Sequence, residues 1–65
     1  MKADEFLGHF RDTRVEPGDR GHYLVATYDG VEVRERISNL DYEQFVSGHL
    51  SSSDLVHKYM AYLIS

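Results

Sequence analysis

The residues in this 65-residue chain best suited to chemistry are four histidines, a serine triplet and eleven carboxylates, with no cysteine among them. His9, His22, His49 and His57 have the right atoms for zinc but not the right spacing. No pair sits at i, i+4, the nearest two fall on different predicted helices, and no thiolate completes a tetrahedral set. The reading is therefore no metal and no cofactor, with the histidines acting as pH-sensitive groups near neutrality. Ser51, Ser52 and Ser53 beside His49 and His57 offer the residue types of a nucleophile and a base. The same serines fit a helix cap, and a chain of this size has little volume for a closed pocket. The glycines form no phosphate-cradling motif. A non-enzymatic protein is expected.

Carboxylates and tyrosines remain as candidate binding groups. From Ile37 onward the chain carries Asp41, Glu43 and Asp54 against one base, Lys58. Asp41 and Asp54 lie at predicted helix starts, where a carboxylate complements the helix dipole and can cap. Glu43, Asp29 and Glu32 have no such duty. Together these five present a negative surface to a basic partner, gaining association rate and specificity from complementary potential. Tyr23 and Tyr62 are the tyrosines expected to be exposed, and exposed tyrosines favour protein interfaces.

Composition sets the frame for these groups. The chain is 42% apolar and 28% charged, with a formal charge of -4, which fits one small domain over residues 1–65 and leaves no room for a second. A chain this short buries only about 60% of its unfolded surface, so a monomer or weak dimer is expected. Without cysteine a disulfide scaffold is excluded, and no stretch approaches the roughly 20 apolar residues of a membrane span, so a cytoplasmic protein is expected. The acidic balance points to basic partners and away from direct nucleic-acid binding.

The elements that must position these groups are read from periodicity. Ala3, Phe6, Leu7 and Phe10 recur at helical spacing and predict a helix from about 3 to 11. Residues 12–21, with the only proline and a high density of charge, predict a loop, with Pro17-Gly18 at the centre of a type II turn. His22 to Tyr28 and Val31 to Ile37 flank Asp29-Gly30, the signal of a β-hairpin with a type I′ turn. That turn pairs Tyr28 with Val31, Ala26 with Val33, Leu24 with Glu35 and His22 with Ile37 on a core face. Thr27–Glu32, Val25–Arg34 and Tyr23–Arg36 fall on the other, water-covered face. Glu35 is the misfit of the core face, placed at the rim of the helix cover or at a bulge.

Asp41 as cap with Gln44, and Leu40 stapled to Phe45, predict a helix over 41–50; Ser51 as cap with Asp54, and Leu50 against Leu55, predict another over 52–64. The expected fold is α+β: a helix, a two-stranded antiparallel β-hairpin, and two short C-terminal helices packed on one face of it.

In size, acidity and architecture, though not in any motif, this chain resembles the small anti-CRISPR inhibitors of phages and mobile elements. The resemblance implies a DNA-mimicking inhibitor in the host cytosol. It would block the basic, DNA-binding surface of a host nucleoprotein complex, such as a CRISPR surveillance-complex subunit. The alternative is a small phage structural or assembly protein acting through oligomeric packing, motivated by the wide apolar stripe of the last helix. A third class, helix-turn-helix DNA binding by the last two helices, is disfavoured because the second helix offers only Lys58 to phosphate.

Overall fold

The computed structural model describes residues 8–64. Three strands, β1 (Phe10–Gly18), β2 (Gly21–Tyr28) and β3 (Val31–Ile37), form one antiparallel sheet in the order β1-β2-β3, followed by helices α1 (Asn39–Val46) and α2 (Ser52–Tyr59) and a 3-10 turn, Ala61–Leu63. The fold is α+β, but the sheet has three strands where two were expected. Residues 3–7 of the expected N-terminal helix lie outside the described residues, and its last two, Phe10 and Arg11, belong to β1.

The added strand replaces most of the expected loop. Thr13 and Val15 turn partly inward while Arg14 and the exposed Asp12 flank them, a period-2 pattern interrupted by a bulge in which Asp12 and Thr13 lie between the Arg11–Thr27 and Arg14–Val25 pairs. Asp12 takes φ +55° to make that bulge. Pro17 is tolerated because β1 is an edge strand, where backbone N–H groups are not all needed by the ladder. The turn falls at Asp19-Arg20, between the paired glycines Gly18 and Gly21, and not at Pro17-Gly18. Gly18 is needed for a different reason: a Cβ there would overlap the Tyr23 ring.

The β2–β3 hairpin has the expected register at all seven pairs, from His22–Ile37 to Tyr28–Val31. Asp29 at φ +52° and Gly30 at φ +81° give the positive values that a type I′ turn requires. Glu35 marks no bulge; the ladder is continuous through it, and it accepts a hydrogen bond from the Tyr62 hydroxyl.

Both helices cover the face that carries Leu24, Ala26 and Ile37. These pack with Phe10, Leu55, Val56 and Met60, bordered by Val15, Tyr28, Tyr42 and Phe45 among others. Helix α1 is capped by Ser38, whose Oγ accepts from the Asp41 N–H at 3.0 Å, so Asp41 is not the cap. Leu40 is 64% exposed and forms no staple. The helix stops at Val46, and the chain leaves through Gly48 at φ +88°. Helix α2 starts as expected, with Ser51 and Asp54 in a reciprocal capping box, but ends at Tyr59 and does not run to 64. The helices are clipped together at their ends. The Ser38 N–H donates to the Tyr59 hydroxyl at 3.0 Å, the hydroxyl donates to Asp41, and Lys58 pairs with the same carboxylate at 2.8 Å.

Candidate functional site

The five carboxylates read as one negative surface do not share one. Asp41 is only 6% exposed and is engaged by Lys58 and Tyr59. Asp54 is exposed, yet its Oδ2 accepts the Ser51 N–H at 2.9 Å in the capping box. Glu32 points from the sheet face opposite α1 and α2 and pairs with Arg14 at 2.9 Å. Asp29 sits exposed at the hairpin tip, and Glu43 exposed on α1, each away from these pairs. Tyr62 is 55% exposed and bonded to Glu35, while Tyr23 is half-buried on the sheet face opposite the helices. The sheet therefore separates Glu32 and Tyr23 from Glu43 and Asp54.

The charges that are held protonation-locked have plain causes. A hydrogen bond from Lys58, then one from Tyr59, keeps the Asp41 carboxyl below its ordinary range against the opposing effect of burial. The Ser51 backbone N–H does the same for Asp54. Lys58 is raised in turn by Asp41, and the Tyr62 phenol is raised by Glu35.

The denser arrangement is on the sheet face opposite α1 and α2. Alternation along each strand and the two registers place nine side chains there as a grid. One row reads Arg11, Thr27, Glu32; the next Arg14, Val25, Arg34; the third Glu16, Tyr23, Arg36. Every arginine in the strands thus lies on one face, four of them against Glu16 and Glu32, while Arg20 lies in the adjoining turn.

The grid is wired internally. The Arg14 Nε pairs with Glu16, its Nη1 donates to the Asp12 carbonyl at 2.8 Å, and its Nη2 pairs with Glu32 at 2.9 Å. Glu16 also accepts from Arg34 at 3.3 Å, so one carboxylate bridges two guanidiniums. That bond to Arg14 is the main reason the Glu16 carboxyl sits below its usual range, and the same contact raises Arg14. The Arg34 guanidinium carbon lies 5.8 Å from the Tyr23 ring centroid. Val25, at the centre, is fully buried although it is on the face opposite α1 and α2. Its described neighbours in register are Arg14 and Arg34, whose aliphatic stems can cover apolar surface while the charged ends stay in water. Among the described residues Arg11 and Arg36 have no carboxylate partner, which leaves the face with an excess of positive charge. Past Arg11 the face opens on a cleft of about 570 Å³ that His9 and Asp29 also line.

The loop-like composition of residues 12–21 hid this site. The mixed face of the hairpin was visible as Glu32, Arg34 and Arg36 against Tyr23 and Val25, but its third column was assigned to a loop. The alternation of Thr13-Arg14-Val15-Glu16 was the available signal. The histidines do not converge: His49 exchanges a hydrogen bond with Ser47 at 2.8 Å, and His22 stacks on Tyr42 with ring centroids 3.4 Å apart. Comparison with known protein families, curated proteins and solved structures finds no match to this chain.

Proposed function

We propose that this chain is a non-catalytic nucleic-acid-binding module that works through the face of its sheet opposite α1 and α2. The observation that carries the reading is the gathering of Arg11, Arg14, Arg34 and Arg36 on that one face, with Arg20 beside it, in a chain whose overall charge is -4. Arginine is the side chain best matched to phosphate and base edges, through its planar fork of five N–H donors. Net charge does not decide the matter when charge is segregated. The helix carboxylates Asp41 and Asp54 lie on the other side of the sheet, where Lys58, Tyr59 and Ser51 engage them. The helices are poorer candidates, because their base Lys58 is already paired with Asp41.

The test is fluorescence anisotropy with labelled duplex and single-stranded oligonucleotides between about 50 and 200 mM salt. Three or four phosphate contacts give a slope of log K against log salt of about -3 to -4 on duplex DNA. Absence of binding at the low end of salt overturns the reading.

A second reading rests on a different surface. On α1, Leu40 and Val46 are 64% and 65% exposed and bracket the exposed Glu43 at three-residue intervals. An apolar pair around a carboxylate suits a basic protein surface, and an anti-CRISPR-like inhibitor of a DNA-binding complex would use it. Glu43→Lys separates the two readings, since it weakens capture of a basic protein partner and leaves oligonucleotide binding by the sheet unchanged.

A further inference from the structure

Building on the proposed nucleic-acid reading, we infer that the grid reads duplex DNA in the major groove in a sequence-dependent way, with Arg34 as a base-contacting residue and Arg11 and Arg36 as phosphate contacts. The first argument is the presence of Glu16 and Glu32. A surface selected only for attraction to phosphate gains nothing from two carboxylates in its midst, since each repels the ligand. Here they hold arginines. Glu16 fixes both Arg14 and Arg34, and Glu32 fixes Arg14 from the opposite edge strand. Oriented guanidiniums are what bidentate recognition of a guanine edge needs, and a carboxylate beside them can accept from a cytosine amino group.

Donor accounting divides the arginines. Arg14 uses Nε, Nη1 and Nη2 within the protein, so it is mainly a positioning residue for its neighbours. Arg34 commits one contact, to Glu16, and keeps most of its five donors for a ligand while its direction is set. Arg11 and Arg36, at opposite corners and without carboxylate partners among the described residues, suit the less directional contacts to phosphate.

Geometry favours a B-form duplex over the other nucleic acids. Adjacent strands lie about 4.8 Å apart, so the two-stranded β2–β3 ribbon that carries Arg34 fits a major groove about 12 Å wide, with β1 and Arg11 at its phosphate edge. The major groove of an RNA duplex is too deep and narrow to admit it. Single strands are held mainly by stacking on exposed rings, and among the described residues the ring of this grid is occupied: Tyr23 lies against Gly18 and has Arg34 over it.

The experiment is selection of bound sequences from a random duplex pool by the full chain, followed by affinity measurements on the enriched site and on a random duplex. The expected result is an enriched motif. Arg34→Ala should then weaken the enriched site by about 5- to 150-fold, the range of one good base contact, and the random duplex by much less. Arg34→Lys keeps the charge and should still lose the preference, which guards against a folding effect. Arg36→Ala should weaken all duplexes alike and lower the salt slope by about 1. Duplex binding with no enriched motif, or tighter binding to single strands, overturns this inference and leaves the broader nucleic-acid reading in place. No binding to any oligonucleotide overturns both.

Discussion

Replacing Glu16 with Gln should strengthen non-sequence-specific binding to nucleic acid, against the usual outcome of removing a bonded side chain from a site. Glu16 bridges Arg14 and Arg34 across the sheet, with Arg34 at 3.3 Å, and it is the carboxylate that neutralises the centre of the grid. The amide keeps the shape and removes one negative charge. Arg14 retains Glu32 at 2.9 Å and the Asp12 carbonyl at 2.8 Å, so the guanidinium set free is chiefly that of Arg34. One additional phosphate contact steepens the salt slope by about 0.9, which at roughly 0.1 M salt corresponds to about eightfold tighter binding to a random duplex. Folding stability should scarcely change, since exposed ion pairs contribute little to it. The preference for an enriched duplex should fall, because Arg34 loses the group that directs it. Anisotropy titrations of wild type and Glu16→Gln on a random duplex at several salt concentrations measure both quantities. Weaker binding by the variant, or an unchanged slope with a correctly folded protein, would refute the idea that Glu16 restrains a phosphate-seeking arginine.

Further expectations concern the frame that holds this face. Ser51→Ala removes the cap of α2 and should lower stability by about 1 kcal/mol, near 7 °C in Tm for a domain of this length, measured by thermal denaturation. Leu55→Ala, at a fully buried position, should remove about 2–5 kcal/mol, a large share of the roughly 3–10 kcal/mol available to so small a domain, and urea titration would give it directly. Asp41 and Asp54 have carboxyls held below their unfolded values, so their contribution is complete above about pH 4 and is lost as pH falls through their lower folded values. Circular dichroism against pH should therefore show acid unfolding below that range, and Asp41→Asn should flatten the acid limb only in part. Lys58 and Tyr62 are raised, so their contribution is present below about pH 10 and disappears at higher pH.

Local chemistry was legible where one residue pair decides the geometry. Asp29-Gly30 sets a two-residue turn, and a two-residue turn allows one register, which is why every β2–β3 pair could be read in advance. Ser51 and Asp54 set the start of α2 in the same way. At α1 two cap candidates compete, Ser38 and Asp41, and the choice depends on tertiary contacts. Asp41 is drawn to Lys58 and Tyr59, seventeen and eighteen residues on, and that leaves Ser38 to cap. Nothing near Asp41 in the chain announces those partners. The end of α2 is a similar case: the apolar stripe continues through Leu63 and Ile64, but after Met60, at φ -122°, it does so in a 3-10 turn, and the Tyr28 hydroxyl donates to the Leu63 carbonyl.

The third strand was obscured by the same residues that give the face opposite α1 and α2 its character. A proline, two glycines and alternating charges have the composition of a loop, and a bulge at Asp12-Thr13 shifts the period so that no long alternation is seen. Yet charge is what an edge strand with one solvated face should carry, because it blocks pairing with other chains while the inward residue, Val15, reaches the core. Once β1 is paired, Arg14 and Glu16 move from a loop, and Arg11 from a helix, to the outer column of a sheet, and the strand arginines fall on a single face. The formal charge of -4 averages that face with carboxylates on the helices and turns. Partner chemistry follows the local field within about a screening length, so the sum over the chain was the wrong quantity from which to argue against nucleic acid, and the arrangement across the strands is the quantity the duplex experiments test.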